Sequence, residues 1–470
     1  MHSYVRSPAR IGPLILPGNQ EWRHHGHCQQ LIALFSQPVR PSKKLSKKCE
    51  ALSKQGQRFL SSLATATAEG DISAANRVIK KFVAASPKSI ALDALSQLLS
   101  PPLSQSNLSS LAFPLYLKIT EARWFDWNPK LVANVAAFLN KQGQYSESTT
   151  LISDSISKLQ LKERDLLLFY CNLVESHSKH NSIRGFDDSF AFLRELVYGS
   201  NSVYVKRQGY KSMVSGLCEM GRPREAEDLI EEMMEKGVKP SMFEFRCVVY
   251  SYGRLGLFEE MHRSIDKMEK EGFEIDTVCS NMIVASYGAQ NALPEMVLWV
   301  QKMKDLGIPF SLRTCNSVLN ACPTIMSLVI NSNSSRLYPV SIQELIKILN
   351  EEEVKLVEEL VGSCVLKEAM KWDELEGKLD LHGMHLSSAY VIMLIWIEEI
   401  RKRLNSGNEK VPAEITVVCG SGNHSSVRGE SPVKGMVKEI MVQTRSPMRI
   451  DRKNNGCFIA KGKVVKQWLS

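Results

Sequence analysis

The sequence lacks long apolar runs and paired cysteines, and each absence excludes a class of protein. In 470 residues the longest apolar run, residues 389–397, has nine members, whereas a transmembrane helix needs about 20. The eleven cysteines form no CxxC, and the closest two, Cys315 and Cys322, are seven apart. We therefore expect no membrane span, no disulfide framework and no cysteine zinc site, but reduced, partly buried thiols.

Charge is distributed unevenly along the chain. The net charge is +9, with +6 in residues 1–50, +7 in residues 378–470 and −4 between them. A basic C-terminal segment attracts polyanions, of which nucleic acid is the usual one. The alternative is a solvated basic surface without a specific partner.

The basic start has a different composition from the basic end. The first 40 residues contain four arginines, several serines and prolines, and Glu21 as the one acid. Such acid-poor, Arg- and Ser-containing starts are typical of organellar transit peptides. A disordered, basic RNA-binding arm is the alternative.

A repeat of 35 residues organises the middle of the chain. Residues 207–241, 242–276 and 277–311 align without gaps, and Gly237, Gly272 and Gly307 fall at one register. A weaker helical pattern surrounds Gly70 (residues 58–82) and Gly143 (residues 131–159), which suggests degenerate repeats upstream. Internal repeats of this length indicate a solenoid.

Each unit has the pattern helix, turn, helix, loop. In the first unit Tyr210, Met213 and Leu217 follow a 3.6-residue period, Gly221 ends that helix and Pro223 can begin the next. Two short helices cannot bury their apolar faces alone, but stacked neighbours can. The sequence therefore predicts an α-solenoid of helix-turn-helix repeats. A methionine column, four residues before the repeated glycines, is predicted to pack between helices (Met233, Met268, Met303).

The segment GYKSMVSGLCEMGRPREAEDLIEEMMEKGVKPS resembles a pentatricopeptide repeat, and a fourth unit opens with LRTCNSVLNAC. The resemblance covers about 120 residues and implies binding of single-stranded RNA, one base per repeat. It implies base reading by the fifth and last residues of each unit. Asn281 with Ser311 suggests a pyrimidine, whereas Lys211 and Arg246 are better suited to phosphate. The positions are Lys211 and Ser241, Arg246 and Asp276, Asn281 and Ser311, and Asn316 without a clear mate.

The charge of the clear repeats leaves an alternative open. Residues 207–311 contain thirteen basic and seventeen acidic side chains, a net charge of −4. RNA binding depends on neutralising phosphates. Either the basic residues line the concave face, or the solenoid binds protein instead.

From residue 378 the pattern changes to strand, helix, strand, helix, strand, strand, which predicts a compact α/β sandwich. Asp380 and His382 are two apart on the first strand, so both are expected to project to one face. A carboxylate beside an imidazole suits general acid–base chemistry, or holds a cation that activates water. After the second strand, the glycine loop of residues 419–424 has unblocked backbone N–H groups that could hold a phosphate.

LDLHG and GSGNHS…SP together resemble a small MutS-related (Smr) domain, whose members cleave or nick nucleic acid. The resemblance nominates Asp380 and His382 for catalysis, and Gly420, Gly422 and His424 for contact with the phosphodiester. The family's loop begins with His or Thr, where this chain has Cys419, which leaves cleavage open.

Pentatricopeptide repeats followed by an Smr domain resemble a plant organellar group. This implies a chloroplast or, alternatively, mitochondrial protein of RNA processing, with single-stranded RNA and organellar ribonucleoprotein proteins as partners. A divalent metal ion could be its cofactor. The alternatives are a non-catalytic RNA binder and a protein-interaction scaffold. The expected organisation is a transit or disordered segment (1–50), degenerate repeats (51–206), clear repeats (207–322), a helical linker or cap (323–377) and the Smr domain (378–470).

Overall fold

The computed structural model describes most of the chain beyond its first 51 residues. The predicted transit segment, Gly422 and His424 lie outside the described residues. Among the described residues, one compact unit extends to Asn128 and a second begins at Pro129. The described ranges are 52–68, 70–100, 108–159, 162–330, 338–363, 365–406, 410–420 and 431–469.

The first unit is helical, and it contains the helix pair predicted around Gly70. Gly70 has a φ of +70°, a left-handed conformation that glycine adopts without steric cost. Asp71 then caps the next helix, because its Oδ1 accepts a hydrogen bond of 2.8 Å from the Ala74 amide. The helices are α1 (Lys54–Ala68), α2 (Ile72–Ala85), α3 (Lys88–Leu98) and α4 (Ala112–Thr120), with a 3-10 turn at Ser109–Leu111.

The second unit begins with stacked helix pairs, as the repeat predicts. The first helix of each pair packs on the first helix of the next pair, from α5 through α7, α9, α11 and α13 to α15. This continuous row of helices forms the solenoid. Its helices are α5 (Pro129–Lys141), α6 (Tyr145–Lys158), α7 (Glu163–Lys179), α8 (Ile183–Gly199), α9 (Val203–Glu219), α10 (Pro223–Glu235), α11 (Met242–Arg254), α12 (Phe258–Lys270), α13 (Thr277–Ala289), α14 (Leu293–Asp305), α15 (Leu312–Ala321) and α16 (Pro323–Ile330).

The 35-residue period is visible in the helix caps. The last residue of each clear unit is the N-cap of the following helix, and its side chain accepts a hydrogen bond from a backbone amide of the first turn. Such a cap stabilises a helix by about 1 kcal/mol. The methionine column is buried, which confirms that it packs between helices. The caps are Ser241, Asp276 and Ser311, and the methionines are Met233, Met268 and Met303.

Short helices follow the repeats. They are α17 (Ile342–Ile346), α18 (Glu351–Val361) and α19 (Val365–Ala369), and α18 packs on α14 and α15. α18 ends at Val361, and Gly362 is its C-cap.

The chain then forms a five-stranded sheet of order β1-β2-β3-β5-β4. β2 and β3 are parallel, and the other neighbouring strands are antiparallel. From β2 onward the predicted order of strands and helices is present. The elements are β1 (Met370–Trp372), β2 (Glu376–Asp380), α20 (Leu386–Ser406), β3 (Glu414–Val418), α21 (Pro432–Gln443), β4 (Arg449–Ile450), β5 (Cys457–Lys461) and α22 (Gly462–Leu469).

Two elements of this region differ from the prediction. The sheet begins at Met370 rather than near residue 378, because three-residue β1 is too short to show a period, and α22 was not predicted. α20 contains the nine-residue apolar run. It packs on α15 and α16 on one side and on α21 and α22 on another, which explains why it is apolar around its circumference. No helix in the described part of the chain combines the length and hydropathy of a bilayer crossing.

Candidate nucleic-acid interface

The fifth and last residues of two units meet side by side. Asp276 and Ser311 cap α13 and α15, and the fifth residues Arg246 and Asn281 lie on the neighbouring first helices α11 and α13. The Arg246 Nη2 atom is 2.5 Å from the Asp276 Oδ2 atom. The Asn281 Nδ2 atom donates to the Ser311 Oγ atom at 3.2 Å. Two of the three predicted base-reading pairs are therefore brought together.

The fifth residues of these pairs are buried and bonded within the protein, whereas Asp276 is exposed and Ser311 is half-buried. The Arg246 Nε atom is buried without a hydrogen-bond partner among the described residues. Asn281 is 4% exposed and Arg246 is 8% exposed. The Asn281 Oδ1 atom accepts a hydrogen bond of 2.7 Å from the Thr314 hydroxyl. Thr314, which sequence reasoning missed, also bonds the Ser311 hydroxyl and amide. Its signal was its place three residues after the cap, the spacing of a capping box.

The third predicted pair takes other partners. The Lys211 Nζ atom lies 4.4 Å from the centroid of the Phe243 ring, a cation–π contact. The Ser241 hydroxyl donates to the Glu244 carboxylate at 2.6 Å and completes the cap of α11. Lys211 is half-buried and Ser241 is exposed.

Asn316, the fifth residue of the partial fourth unit, contacts the turn after β2. Its Nδ2 atom donates to the Gly383 carbonyl at 3.3 Å, and its Oδ1 atom accepts from the His385 amide at 3.0 Å. Asn316 is 9% exposed. The predicted base reader is thus engaged by the C-terminal part of the chain.

Asp380 and His382 form an exposed pair at the end of β2. The strand ends at Asp380 and His382 lies in the following turn, so the prediction that one strand carries both residues is wrong. Their side chains nevertheless meet, with 2.6 Å between His382 Nδ1 and Asp380 Oδ1. The His382 amide also donates to that carboxylate oxygen at 3.1 Å. The side chains are 73% and 32% exposed for His382 and Asp380.

The pair lies where two parallel strands end. Asp380 is opposite Val418 in the parallel register of β2 and β3, and Gly420 follows with a φ of +78°. The Ser431 hydroxyl donates to the Cys419 carbonyl at 3.2 Å and accepts from the Lys434 amide at 3.3 Å. The N-terminus of α21 is thereby held beside this edge. The carboxyl ends of parallel strands and the N-termini of helices are common anion-binding places.

Two further residues define this edge. Burial raises the pKa of the Cys419 thiol to about 12, so it is protonated at neutral pH. The nearby Lys434 ammonium acts on that thiol in the opposite direction. Sequence reasoning missed Lys434. Its only signal was a basic residue in the first turn after the Ser431 cap.

The described residues do not fit a divalent cation. Across the described ranges no three His, Cys, Asp or Glu side chains form a metal-binding group. In the pair of Asp380 and His382, the Nδ1 atom is engaged by the carboxylate, which leaves too few donors for Mg²⁺ or Zn²⁺. We derive no step through a metal ion.

Comparison with known proteins identifies the repeats. The family model "PPR repeat" matches residues 210–238 and 245–273. A pentatricopeptide repeat-containing protein of Arabidopsis thaliana is 59% identical over 418 residues, which are 89% of this chain and 82% of the relative. The chloroplastic pentatricopeptide repeat-containing protein ATP4 of Zea mays is 21% identical, over 55% of this chain and 38% of the relative. The crystal structure of the maize pentatricopeptide repeat protein PPR10 matches with a TM-score of 0.32 and 13% identity, over 89% of this chain and 62% of that one. On the extent and identity of the Arabidopsis match, the chain belongs to the pentatricopeptide repeat proteins.

Proposed function

We propose that this protein binds single-stranded RNA in a plant organelle and acts in transcript processing. The observation that carries the proposal is the juxtaposition of Asn281 with Ser311, and of Arg246 with Asp276. A side-chain amide can donate to and accept from a Watson–Crick edge, and a neighbouring polar group fixes which it does. The Asn281 and Ser311 pair is suited to a pyrimidine.

The charge distribution supports separate roles in RNA binding for the repeats and the C-terminal segment. The clear repeats are acidic overall, whereas residues 378–470 carry a net charge of +7. Many of the basic side chains of this segment are exposed, among them Arg449, Arg452, Lys461 and Lys463. Phosphate neutralisation supplies most of the affinity of proteins for nucleic acid. The solenoid would therefore select the strand, and the C-terminal region would hold its sugar-phosphate chain.

We propose further that residues 370–469 form an α/β sandwich of the Smr type with endonuclease activity. An ionised carboxylate only accepts hydrogen bonds, so Asp380 fixes the proton of His382 on Nδ1. In the neutral ring the Nε2 atom is then the acceptor nitrogen, which can take a proton from a water molecule. That water oxygen forms the new bond to phosphorus, and the P–O bond to one ribose oxygen breaks. The leaving oxygen takes a proton from solvent, and His382 returns its proton to solvent. Gly420 and the N-terminus of α21 would stabilise the phosphate charge.

Two other functions have specific observations in their favour. A buried, protonated Cys419 cannot exchange protons at neutral pH as a histidine would, which favours RNA binding without cleavage. The net charge of −4 over residues 207–311 favours a protein-interaction scaffold.

The organelle is proposed from the first 40 residues and from a relative. An acid-poor, arginine-containing start is typical of transit peptides, and one matched protein of Zea mays is named as chloroplastic. We propose the chloroplast, with the mitochondrion as the alternative and with organellar ribonucleoprotein proteins as further partners.

The salt dependence of RNA binding tests the proposal. The full chain should bind a pyrimidine-containing single-stranded RNA at low salt. The logarithm of the binding constant should fall linearly with the logarithm of the salt concentration, with a slope of about −0.7 for each phosphate contacted. Replacing Arg449 and Lys461 by Ala should make this slope less steep, by the amount expected for the loss of about one to two phosphate contacts. Replacing the exposed acids Glu259 and Glu439 by Ala serves as the control and should not flatten it. A scaffold would show no affinity above that for a neutral polymer at any salt concentration.

A further inference from the structure

Asn316, the fifth residue of the fourth unit, has hydrogen-bond partners of a different kind from those of Asn281 in the unit before it. Asn281 bonds the cap and the first turn of the next helix, whereas Asn316 bonds a backbone segment 67 to 69 residues further along the chain. The Asn316 amide donates with one atom and accepts with the other. This two-point contact is the way an asparagine recognises a base edge, and the turn of residues 383–385 takes the place of the base.

Additional contacts attach the same turn to the fourth unit. The Asn320 Nδ2 atom bonds the His385 Nδ1 atom. Burial lowers the pKa of His385 and so favours its neutral ring, in which the Nδ1 atom accepts from the Asn320 amide when the proton is on Nε2. α20, which follows the turn, packs on both α15 and α16, and the Ser387 hydroxyl contacts the Met326 sulfur at 2.9 Å. The turn is therefore fixed to the solenoid by side chains and by a buried helix.

The turn is continuous with the exposed pair of Asp380 and His382. Gly383 is the residue after His382, and three residues of chain extend at most about 10 Å, which bounds its separation from Asp380. A group that anchors Gly383 therefore also places His382 relative to the repeats. No base can bind Asn316 while the turn occupies it.

We infer that Asn316 is a positioning residue and not a base reader: it ends the base-reading row at residues 277–311 and fixes Asp380 and His382 beside the next nucleotides. The inference rests on the proposed RNA binding for its meaning. It predicts a constant number of nucleotides between the base read by Asn281 and the phosphodiester nearest His382.

Base preference in RNA binding tests the reading part of this inference. The full chain is titrated with RNAs that carry each base at the nucleotide bound by Asn281, and with a second series that varies the following nucleotide. Wild type should discriminate about tenfold or more in the first series and less than twofold in the second. Asn281→Ala should abolish the first preference. A strong preference in the second series that Asn316→Ala removes would overturn the inference.

Hydrogen exchange tests the anchoring part without RNA. Asn316→Ala should speed exchange of the His385 amide at least tenfold, whereas Asn316→Asp, which keeps the acceptor, should largely preserve its protection. Asn281→Ala is the matched control and should leave His385 unchanged. Unchanged exchange in Asn316→Ala would refute the anchor. If the chain binds no RNA, the proposed function fails, while the exchange result still decides whether Asn316 holds the turn. Where RNA is cut, Asn316→Ala should spread a single cut over several neighbouring bonds.

Discussion

The candidate functional side chains differ in burial between the repeats and the edge of the C-terminal sheet. In the repeats, Arg246 and Asn281 are almost fully buried, and each has a partner inside the protein. At the end of β2, His382 has most of its side chain in solvent, although Asp380 orients it. The first arrangement stabilises the fold. The second leaves the oriented His382 ring exposed to solvent.

Two histidines show the same contrast at the level of single rings. His177 in α7 is completely buried, and neither ring nitrogen has a hydrogen-bond partner among the described residues. His382 has a carboxylate partner and is exposed. A buried imidazole without partners must stay neutral, whereas an exposed one with a fixed tautomer is suited to proton transfer. If the repeats bind a base as proposed, Arg246 and Asn281 must first exchange their existing partners, whereas the His382 ring is already exposed to solvent.

The largest effect is expected from Asp380→Asn. The amide of asparagine can donate to Nδ1 and so move the ring proton to Nε2, where it blocks acceptance of a proton from water. Cleavage of single-stranded RNA should fall by about 10² to 10⁴, the usual contribution of a general base. RNA affinity should change less than twofold, because no phosphate contact is lost. Single-turnover cleavage and equilibrium binding measure the two quantities.

Glu439→Gln is the matched control for this change. It removes an exposed carboxylate of the same region, on α21, and should leave cleavage unchanged. If the wild-type chain cuts no RNA, with or without a divalent ion, or if Asp380→Asn cuts at the wild-type rate, the enzymatic proposal is wrong. The non-catalytic RNA binder then takes its place.

Acid should unfold the helix pair α7 and α8 before the C-terminal sheet. Burial lowers the pKa of His177 to about 3 and that of His180 to about 4, against an ordinary 6.5. Below their ordinary pKa, both histidines are protonated in the unfolded chain but not in the folded chain. Their contribution to the free energy of unfolding is therefore fully present above about pH 6.5 and is lost as the pH falls toward 3. The His177 contribution alone is on the order of 5 kcal/mol. Hydrogen exchange of α7 amides between pH 7 and pH 4, corrected for the intrinsic rate, measures the loss.

His177→Leu separates this cause from general acid denaturation. Leucine has a similar volume and no proton to gain, so the acid transition of α7 should move to lower pH. An unchanged transition would mean that other groups control it. His262→Leu is the control, since that ring lies in α12 and bonds the Tyr287 hydroxyl.

The parts of the fold that were predictable from sequence are those with a local signal. The 35-residue period gave the helix pairs, and the glycines with positive φ gave their ends. The order of strands and helices predicted from residue 378 onward is present from β2. β1 was not predicted, because its three residues are too few to show the alternation of apolar and polar side chains that indicates a strand.

The candidate site was predictable in its residues but not in its contacts. Asp380 and His382 could be nominated from LDLHG, yet only the structure shows that His382 lies in a turn. The contact of Asn316 with Gly383 joins residues 67 apart, and no local pattern encodes such a distance. Likewise, the ion pair of Arg246 with Asp276 depends on the packing of α11 on α13. Tertiary packing therefore decides which polar side chains of the repeats are free.

The smallest effect, and the most direct check on the inward pairing of the repeats, comes from Asp276. This carboxylate has two roles, because one oxygen caps α13 through the Cys279 amide and the other pairs with Arg246. Asp276→Ser keeps the cap and loses the ion pair, whereas Asp276→Ala loses both. The Arg246 side chain is nearly buried but Asp276 is half exposed, so the pair should contribute about 2 kcal/mol, between the values for surface and buried pairs. The cap adds about 1 kcal/mol.

Urea unfolding should therefore rank wild type above Asp276→Ser, and Asp276→Ser above Asp276→Ala. Adding Arg246→Met to Asp276→Ser should restore most of the loss, because it removes a buried charge that has no partner. If Asp276→Ser is as stable as wild type, the ion pair contributes nothing to the fold. Arg246 and Asp276 would then be free to turn toward an RNA strand without cost, and the contrast between inward-paired repeats and an open C-terminal edge would not hold.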